Sequence, residues 1–331
     1  MKFRWVTACS LIAILLASCA KHEQGKQRGT TIAVIPKGTT HEFWKSIHAG
    51  AAKAASEQNV ELIWKGPLKE DDREAQISVV EDLISRKVNG ILLAPLDDVA
   101  LRGPVANARR AGIPVIIIDS DLKSEDYVSF VATDNELGGR MGTKKLVELL
   151  NGKGRVILLR YQEGSASTNN REQGFFDEVA QAKGITVVTA NQYGGPTTET
   201  AYRASENLLA PLKNPDGTLS IDGIFCVNES TTFGMLRALQ DGGFAGKVRF
   251  VGFDSSTKLV EALRKGELDG LVLQNPFAMG YVGVNTMIAH LKGQHVEKRI
   301  DTGVVLATRE NMNQQEILDR LQPDLSRWLN E

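Results

Sequence analysis

Between Thr31 and Thr308 the chain alternates, almost without a break, between short apolar runs and longer amphipathic stretches. The runs are TIAVI (31–35), VELIW (60–64), GILLAP (90–95), PVIIID (114–119), YVSFVATD (127–134) and RVILL (155–159). They continue with ITVVT (185–189), GIFCV (223–227), VRFVGF (248–253), GLVLQ (270–274) and VVLAT (304–308). Continuous Ile- and Val-rich runs suit parallel strands covered on both faces. Between them the pattern predicts helices at about 41–58, 72–87, 99–111, 136–150, 170–182, 199–209, 231–241, 257–265 and 276–292. Thr39 and Glu42 form a possible capping box for the first. Helix after strand after helix requires crossover connections, hence a doubly wound α/β fold. The strands are too many for one comfortable sheet, and no repeat of fixed period is evident. Two similar lobes are expected, each a doubly wound parallel sheet, with a boundary after VSFVATD.

The N-terminus carries a different signal. A basic start, Met1-Lys2-Phe3-Arg4, precedes an apolar run from about Trp5 to Leu16. Crossing a bilayer as a helix takes roughly 20 apolar residues, so this run has the length of a signal-peptide core. Its exit, Leu16-Ala17-Ser18-Cys19, resembles the lipobox of bacterial lipoproteins, in which the cysteine takes the lipid and becomes the new N-terminus. An ordinary signal peptide cut nearby, with Cys19 incidental, is the bland alternative. The expected division is a signal peptide over 1–18 and a polar tether over 19–29, too poor in apolar residues to fold alone. Cys9 leaves with the signal, and Cys226 sits in an apolar run where a lone cysteine is usually a small core residue. No internal disulfide is left for the mature chain.

Charge narrows the function. Lys and Arg total 39 against 40 Asp and Glu, and no basic stripe recommends nucleic acid. A repressor would need a helix-turn-helix headpiece where the signal sequence stands. No G-x-S-x-G elbow or P-loop appears, so an enzyme is not expected. His22, His48, His290 and His295 lack metal-ligand spacing, and neither metal nor cofactor is expected.

Ligands of doubly wound sheets bind beyond the carboxyl ends of the strands. Lys37, His41, Phe43 and Trp44 follow the first strand; Asp119, Ser120 and Asp121 follow the fourth. Arg171 lies beyond RVILL and its polar loop, Asn228 follows GIFCV, Asp254 follows VRFVGF and Gln274 follows GLVL. Aromatic faces with carboxylates, amides and a guanidinium are what a sugar requires, for stacking and for in-plane hydrogen bonds. Each residue also has a plainer reading. Phe43 shares a helix face with Ile47 and Ala51, so the aromatic pair could be core. Asp254 and Asn228 could merely cap the helices that follow. Lys37 could be a loop lysine. Arg171 could be a surface charge at a helix start, where it would sit poorly with the dipole.

Seven segments then occur in order: IAVIPKGTTHEFWKSIHAGAAKAA, GIPVIIIDSD, VATDNELGG, NNREQGF, IFCVNESTTFGMLRALQ, VGFDSS and GLVLQNPFAMG. Over residues 30 to 308 they resemble the ribose-binding, type I branch of bacterial periplasmic sugar-binding proteins. The resemblance implies two α/β lobes joined by a three-crossover hinge and closing over one monosaccharide. It implies lobes of 30–133 plus 275–303 and 134–274 plus 304–331. It implies ligand-binding roles for Lys37, His41, Phe43, Trp44, Asp119, Ser120, Arg171, Asn228, Asp254 and the hinge residue Gln274. The implied partners are a sugar or polyol and the membrane permease of an ABC importer, with a monomeric protein held at the membrane by its N-terminal lipid. It would be exported to the periplasm or cell surface. Three positions depart from ribose binders: Lys37 where a small residue is common, His41 for a frequent asparagine, and Ser120 for an arginine. IPK, KGP (65–67) and DSD (119–121) also resemble the autoinducer-2-binding branch, which places its lysine on the ligand. Signalling through that ligand, or a sugar sensor feeding a membrane kinase or chemoreceptor, is the alternative.

Overall fold

The computed structural model describes residues 29–329. The expected signal peptide, Cys19 and all but the last residue of the tether lie outside the described residues. The first half supplies β1 (Thr31–Ile35), α1 (Glu42–Gln58), β2 (Glu61–Trp64), α2 (Arg73–Ser85), β3 (Gly90–Leu93), α3 (Arg102–Arg110), β4 (Val115–Ile118) and β5 (Ser129–Ala132). Next come α4 (Asn135–Leu149), β6 (Lys153–Arg160), α5 (Ala166–Gln181), β7 (Gly184–Tyr193), α6 (Thr198–Leu209), β8 (Gly223–Cys226), α7 (Glu229–Asp241), β9 (Arg249–Phe253) and α8 (Thr257–Lys265). The chain closes with β10 (Gly270–Leu273), α9 (Pro276–Leu291), β11 (Arg299–Asp301), β12 (Val305–Ala307) and α10 (Gln315–Leu321).

Two six-stranded sheets result, ordered β11-β5-β4-β3-β1-β2 and β12-β10-β9-β8-β6-β7. Leaving out the added edge strands β11 and β12, both follow the 2-1-3-4-5 order of doubly wound sheets, with a switch point between the first and third strands. The first sheet is parallel throughout, whereas β12 runs antiparallel to β10. Only this edge strand departs from the parallel arrangement. β11 ends at the carboxyl edge of the first sheet, and the chain enters the second sheet from that sheet's carboxyl edge, so β12 runs opposite to β10. The connections between β5 and α4, between β10 and α9, and between β11 and β12 carry the chain from one sheet's side to the other.

Each sheet is sealed on both faces by apolar side chains. Ile32, Val34, Leu92, Ile116 and Ile118 face α1 and α9, and Ala33, Ile35, Ile91, Leu93 and Ile117 face α2 and α3. The second sheet repeats this with Ile157, Ile224, Cys226 and Phe250 on one face and Leu158, Phe225, Val251 and Phe253 on the other. Cys226 is buried and free. Helices α1 and α9 meet backbone to backbone. A Cβ on Gly50 would stand 2.0 Å from the Phe277 carbonyl oxygen, and one on Gly280 would stand 2.0 Å from that of Ile47. The contact fixes the start of α1, and with it Phe43 and Trp44, against the first sheet. Among the described residues no helix is long and apolar enough to cross a membrane.

Three local expectations change. The capping box at Thr39 does not form; His41 is the N-cap residue of α1, and Glu42 instead accepts from the Thr257 N–H of the other lobe at 3.2 Å. Helix α5 begins at Ala166 rather than near 170, so Arg171 sits in its second turn and the dipole argument lapses. Strand β11 and helix α10 were not expected. In β11 only Ile300 is apolar, too little for a periodic signal, and the strand is held by its pairing with β5.

Candidate functional site

The carboxyl ends of the two sheets face each other across a polar space of about 330 Å³, counted out to its mouth. Lys37, His41, Phe43, Trp44, Asp119, Arg171, Asn228, Asp254 and Gln274 all line it. Ser120 does not. Its hydroxyl is turned to the opposite lobe, where it accepts from the Ser167 N–H at 3.1 Å.

The two aspartates occupy the same place in the two lobes. Asp119 follows β4 and Asp254 follows β9, and both adopt left-handed backbone, with φ of 61° and 68°. Each N–H still completes its sheet, donating to Val131 and to Val272. A left-handed non-glycine residue costs free energy and persists where its surroundings fix it. Here that turn swings the carboxylate off the sheet edge and into the space between the lobes. Asp254 is not a helix cap: Ser256 caps α8. Asn228 does both jobs, capping α7 through its Oδ1 while lining the cavity.

Arg171 is 2% exposed. Its Nε donates to Asn135 Oδ1 at 2.9 Å, its Nη1 donates to the Val227 carbonyl at 2.8 Å, and its plane lies over the Phe253 ring at 4.0 Å. Asp254 Oδ2 stands 3.9 Å from the same Nη1. Gln274 Nε2 donates to Asp254 Oδ1 at 2.7 Å. Two atoms of this cluster are left over: Arg171 Nη2, a donor, and Gln274 Oε1, an acceptor, are buried without a partner. Opposite them, Lys37 Nζ lies 3.3 Å from Asp119 Oδ2 and donates to Ser165 and Ser167 at 3.1 and 3.2 Å.

The strand-end reading missed Glu70, Tyr161 and Glu229, which also line the space, and singled out none of Ser165, Ser167 and Thr168 in the polar loop it pointed to after RVILL. Glu70 is the hub of the first lobe's wall. One oxygen accepts from Trp44 Nε1 at 2.5 Å and is bonded to His41 Nδ1 at 2.8 Å; the other accepts from the Tyr161 hydroxyl. Trp44 is thus buried in the core of the first sheet and also pinned at the cavity edge, so both of its sequence readings describe it. Further bonds tie the lobes together at the mouth. The Asp98 N–H donates to the Gly164 carbonyl at 2.9 Å, Gln162 Nε2 donates to the Glu70 carbonyl at 2.8 Å, and the Phe43 N–H donates to Glu229 at 3.2 Å.

Burial opposes charge throughout this site, and neighbours decide which group keeps it. For His41, burial pulls the pKa down, but the Glu70 carboxylate outweighs it and the value is raised to about 9. Burial would raise Glu70, but His41 and the donors around it lower it to about 2. For Glu229 burial wins: with Asp254 adding, it outweighs His41 and the Phe43 N–H and raises the value to about 7. Asp254 is also raised, by burial first, against the pull of Arg171.

These shifts set a pH profile. The raised His41 stabilises the fold fully below its ordinary 6.5, and that contribution is lost as pH climbs through about 9. The lowered Glu70 contributes above its ordinary 4.5 and loses that contribution only as pH falls through about 2. Glu229 keeps a proton in the fold that the unfolded chain releases at about 4.5, so stability declines from there to about pH 7. All three predict stability highest near pH 5 and falling toward pH 9. Denaturant midpoints measured across that range check this, and a flat or rising profile would exclude it.

Among the described residues no cluster of His, Cys, Asp and Glu is arranged to hold a metal ion. Residues 32–295 match the family model described as periplasmic binding protein domain. The ribose import binding protein of Haemophilus influenzae is 28% identical over 299 residues, covering 90% of this chain and 96% of its own. An ABC transporter solute binding protein from Agrobacterium vitis, solved with bound D-fucose, superposes with a TM-score of 0.83 at 35% identity, covering 88% of this chain and 100% of that one. A carbohydrate transporter solute binding protein from Agrobacterium radiobacter, in complex with D-arabinose, gives 0.84 at 33% identity, with 89% and 100% covered.

Proposed function

The chain belongs to the periplasmic binding protein family, and from that premise we propose that it captures a neutral monosaccharide or related polyol between its lobes and delivers it to the permease of an ABC importer. The observation that carries this is the pair of leftover atoms, Arg171 Nη2 and Gln274 Oε1, on two residues that line one charge-balanced cavity. A buried donor and a buried acceptor left unpaired are each costly, and a hydroxyl satisfies both kinds. Lys37, His41 and Arg171 are set against Glu70, Asp119 and Asp254, with Glu229 near half-protonation at pH 7. A phosphate would have to break these pairs or face the carboxylates, which is costly in a buried site. The sugars named for the relatives, ribose, D-fucose and D-arabinose, are neutral as well.

In this reading the lobes comprise 30–133 plus 275–303 and 134–274 plus 304–331. They rotate about the three connecting segments, and a ligand that touches both favours the closed form. Titration calorimetry against pentoses, hexoses, polyols, autoinducer-2 and the corresponding sugar phosphates tests it. A neutral sugar or polyol should bind more tightly than its phosphate, and its addition should shrink the radius of gyration in solution scattering. Tighter binding of the phosphate would defeat the assignment.

The lipid anchor rests on the sequence Leu16-Ala17-Ser18-Cys19 alone. In cells, Cys19→Ala should move the protein from the membrane to the soluble fraction. Continued membrane association of that variant would rule out Cys19 as the attachment point.

A further inference from the structure

A second cavity adjoins the first and is the larger of the two at about 770 Å³ by the same measure, against 330 Å³. The two spaces share Phe43, Asp254 and Gln274 as walls. The second is built from both lobes. Glu42, Phe43 and Ser46 come from one face of α1, at the i, i+1 and i+4 positions of its first turns, and Ser255 and Thr257 come from the start of α8. The end of α10 and the segment after it close it with Leu321, Pro323 and Leu325.

Three polar atoms around this cavity have no partner. Ser46 Oγ belongs to a residue that is 3% exposed, Gln274 Oε1 to another at 3%, and Arg320 Nη1 to a side chain at 15%. A buried polar atom without a partner is rare and calls for a group that satisfies it. Here two donors and an acceptor ring one space with apolar walls of Phe43, Leu273 and Pro276. A hydroxylated ring meets all three requirements: its hydroxyls accept from Arg320 and donate to Gln274, and its C–H face lies on apolar carbon.

We propose that this cavity is a second subsite, which receives the ring attached to the first sugar, so that the ligands of the protein include a disaccharide or a short glycoside. This rests on the sugar-binding reading of the first cavity. Gln274 lines both spaces, its amide nitrogen committed to Asp254, and the two lone pairs of its oxygen let it accept one hydroxyl from each side. Glu42 is held by the Thr257 N–H of the opposite lobe, so the outer subsite is complete only when the lobes are together.

The test compares the unaltered mature protein with Ser46→Ala and Arg320→Met, neither of which touches the first cavity. Calorimetry is run with a panel of monosaccharides and with their methyl glycosides and disaccharides. At least one disaccharide or glycoside should bind the unaltered protein as tightly as its parent sugar or more tightly. Arg320→Met should weaken that ligand by about tenfold, the cost of a lost hydrogen bond to a charged group, while binding of the parent monosaccharide stays within about twofold. Thermal melts of both variants show whether they are folded, and Ser46→Ala, the smaller change, repeats the comparison if Arg320→Met is not. Tight monosaccharide binding with no glycoside bound would overturn the subsite alone, as would equal losses for both ligand sizes. Failure of every sugar would overturn the sugar-binding reading and the subsite with it.

Discussion

Replacing Glu70 by alanine should destabilise the protein by about 3–5 kcal/mol, the cost of removing one partner from a buried charge pair. The side chain is almost wholly buried, and three donors converge on its two oxygens. Without it, the His41 imidazolium loses the partner that raises its pKa to about 9, and burial drives it toward the neutral form. Trp44 Nε1 and the Tyr161 hydroxyl would be left unsatisfied in places that water reaches poorly. Glu70→Gln should lose less, because the amide oxygen still accepts from Trp44 while the ion pair is gone. Denaturant unfolding of the three proteins at pH 6 and pH 9 decides the matter. The gap between the unaltered protein and Glu70→Gln should narrow as His41 loses its proton. An alanine variant within 1 kcal/mol of the parent would mean that the hub does not support the wall, since surface changes of that size are ordinary.

The second large effect is on binding. Asp254→Ala should weaken the tightest sugar by roughly 2–5 kcal/mol, because truncating one member of a buried, hydrogen-bonded charge set leaves the others unpaired. Arg171 and Gln274 Nε2 would both lose their carboxylate, and so would the Glu229 N–H, which donates to Asp254 at 3.1 Å. Asp254→Asn separates charge from shape: asparagine tolerates the left-handed backbone at φ 68° and keeps one acceptor. It should recover part of the loss. Calorimetry with the best sugar from the panel, with melting curves to confirm folding, measures both. Unchanged affinity in Asp254→Ala would remove this carboxylate from the site.

Much of this site could be read before any coordinates, for a definite reason. A doubly wound sheet has one productive edge, so whatever follows its strands faces the ligand. Lys37, Asp119, Asn228, Asp254 and Gln274 were found by that rule alone and all line the cavity. Glu229 was missed because α7 begins two residues earlier than its apolar pattern suggests. Tyr161 was missed because it directly follows the polar end of β6, where the apolar run had already stopped at Leu159. Glu70 has no local signal at all. It lies in an irregular loop, and only the tertiary approach of His41, Trp44 and Tyr161 gives it a role. Ser120 shows the reverse failure: its position after β4 is right, but its buried hydroxyl is taken up by the Ser167 N–H of the other lobe and does not line the cavity.

The bonds that tie the lobes at the mouth carry a consequence for timing. Asp98 to Gly164, Gln162 to Glu70 and Ser120 to Ser167 join the lobes through backbone groups and small side chains, and each exists only while the lobes are together. Each raises the fraction of molecules already closed before a ligand arrives, and apparent affinity scales with the fraction that is competent. The same bonds must break before the cargo can leave, so they lengthen its residence. Evolution could therefore retune how long this protein keeps its ligand by changing Gln162 or Ser120, side chains that join the lobes but do not line the cavity that chooses the ligand.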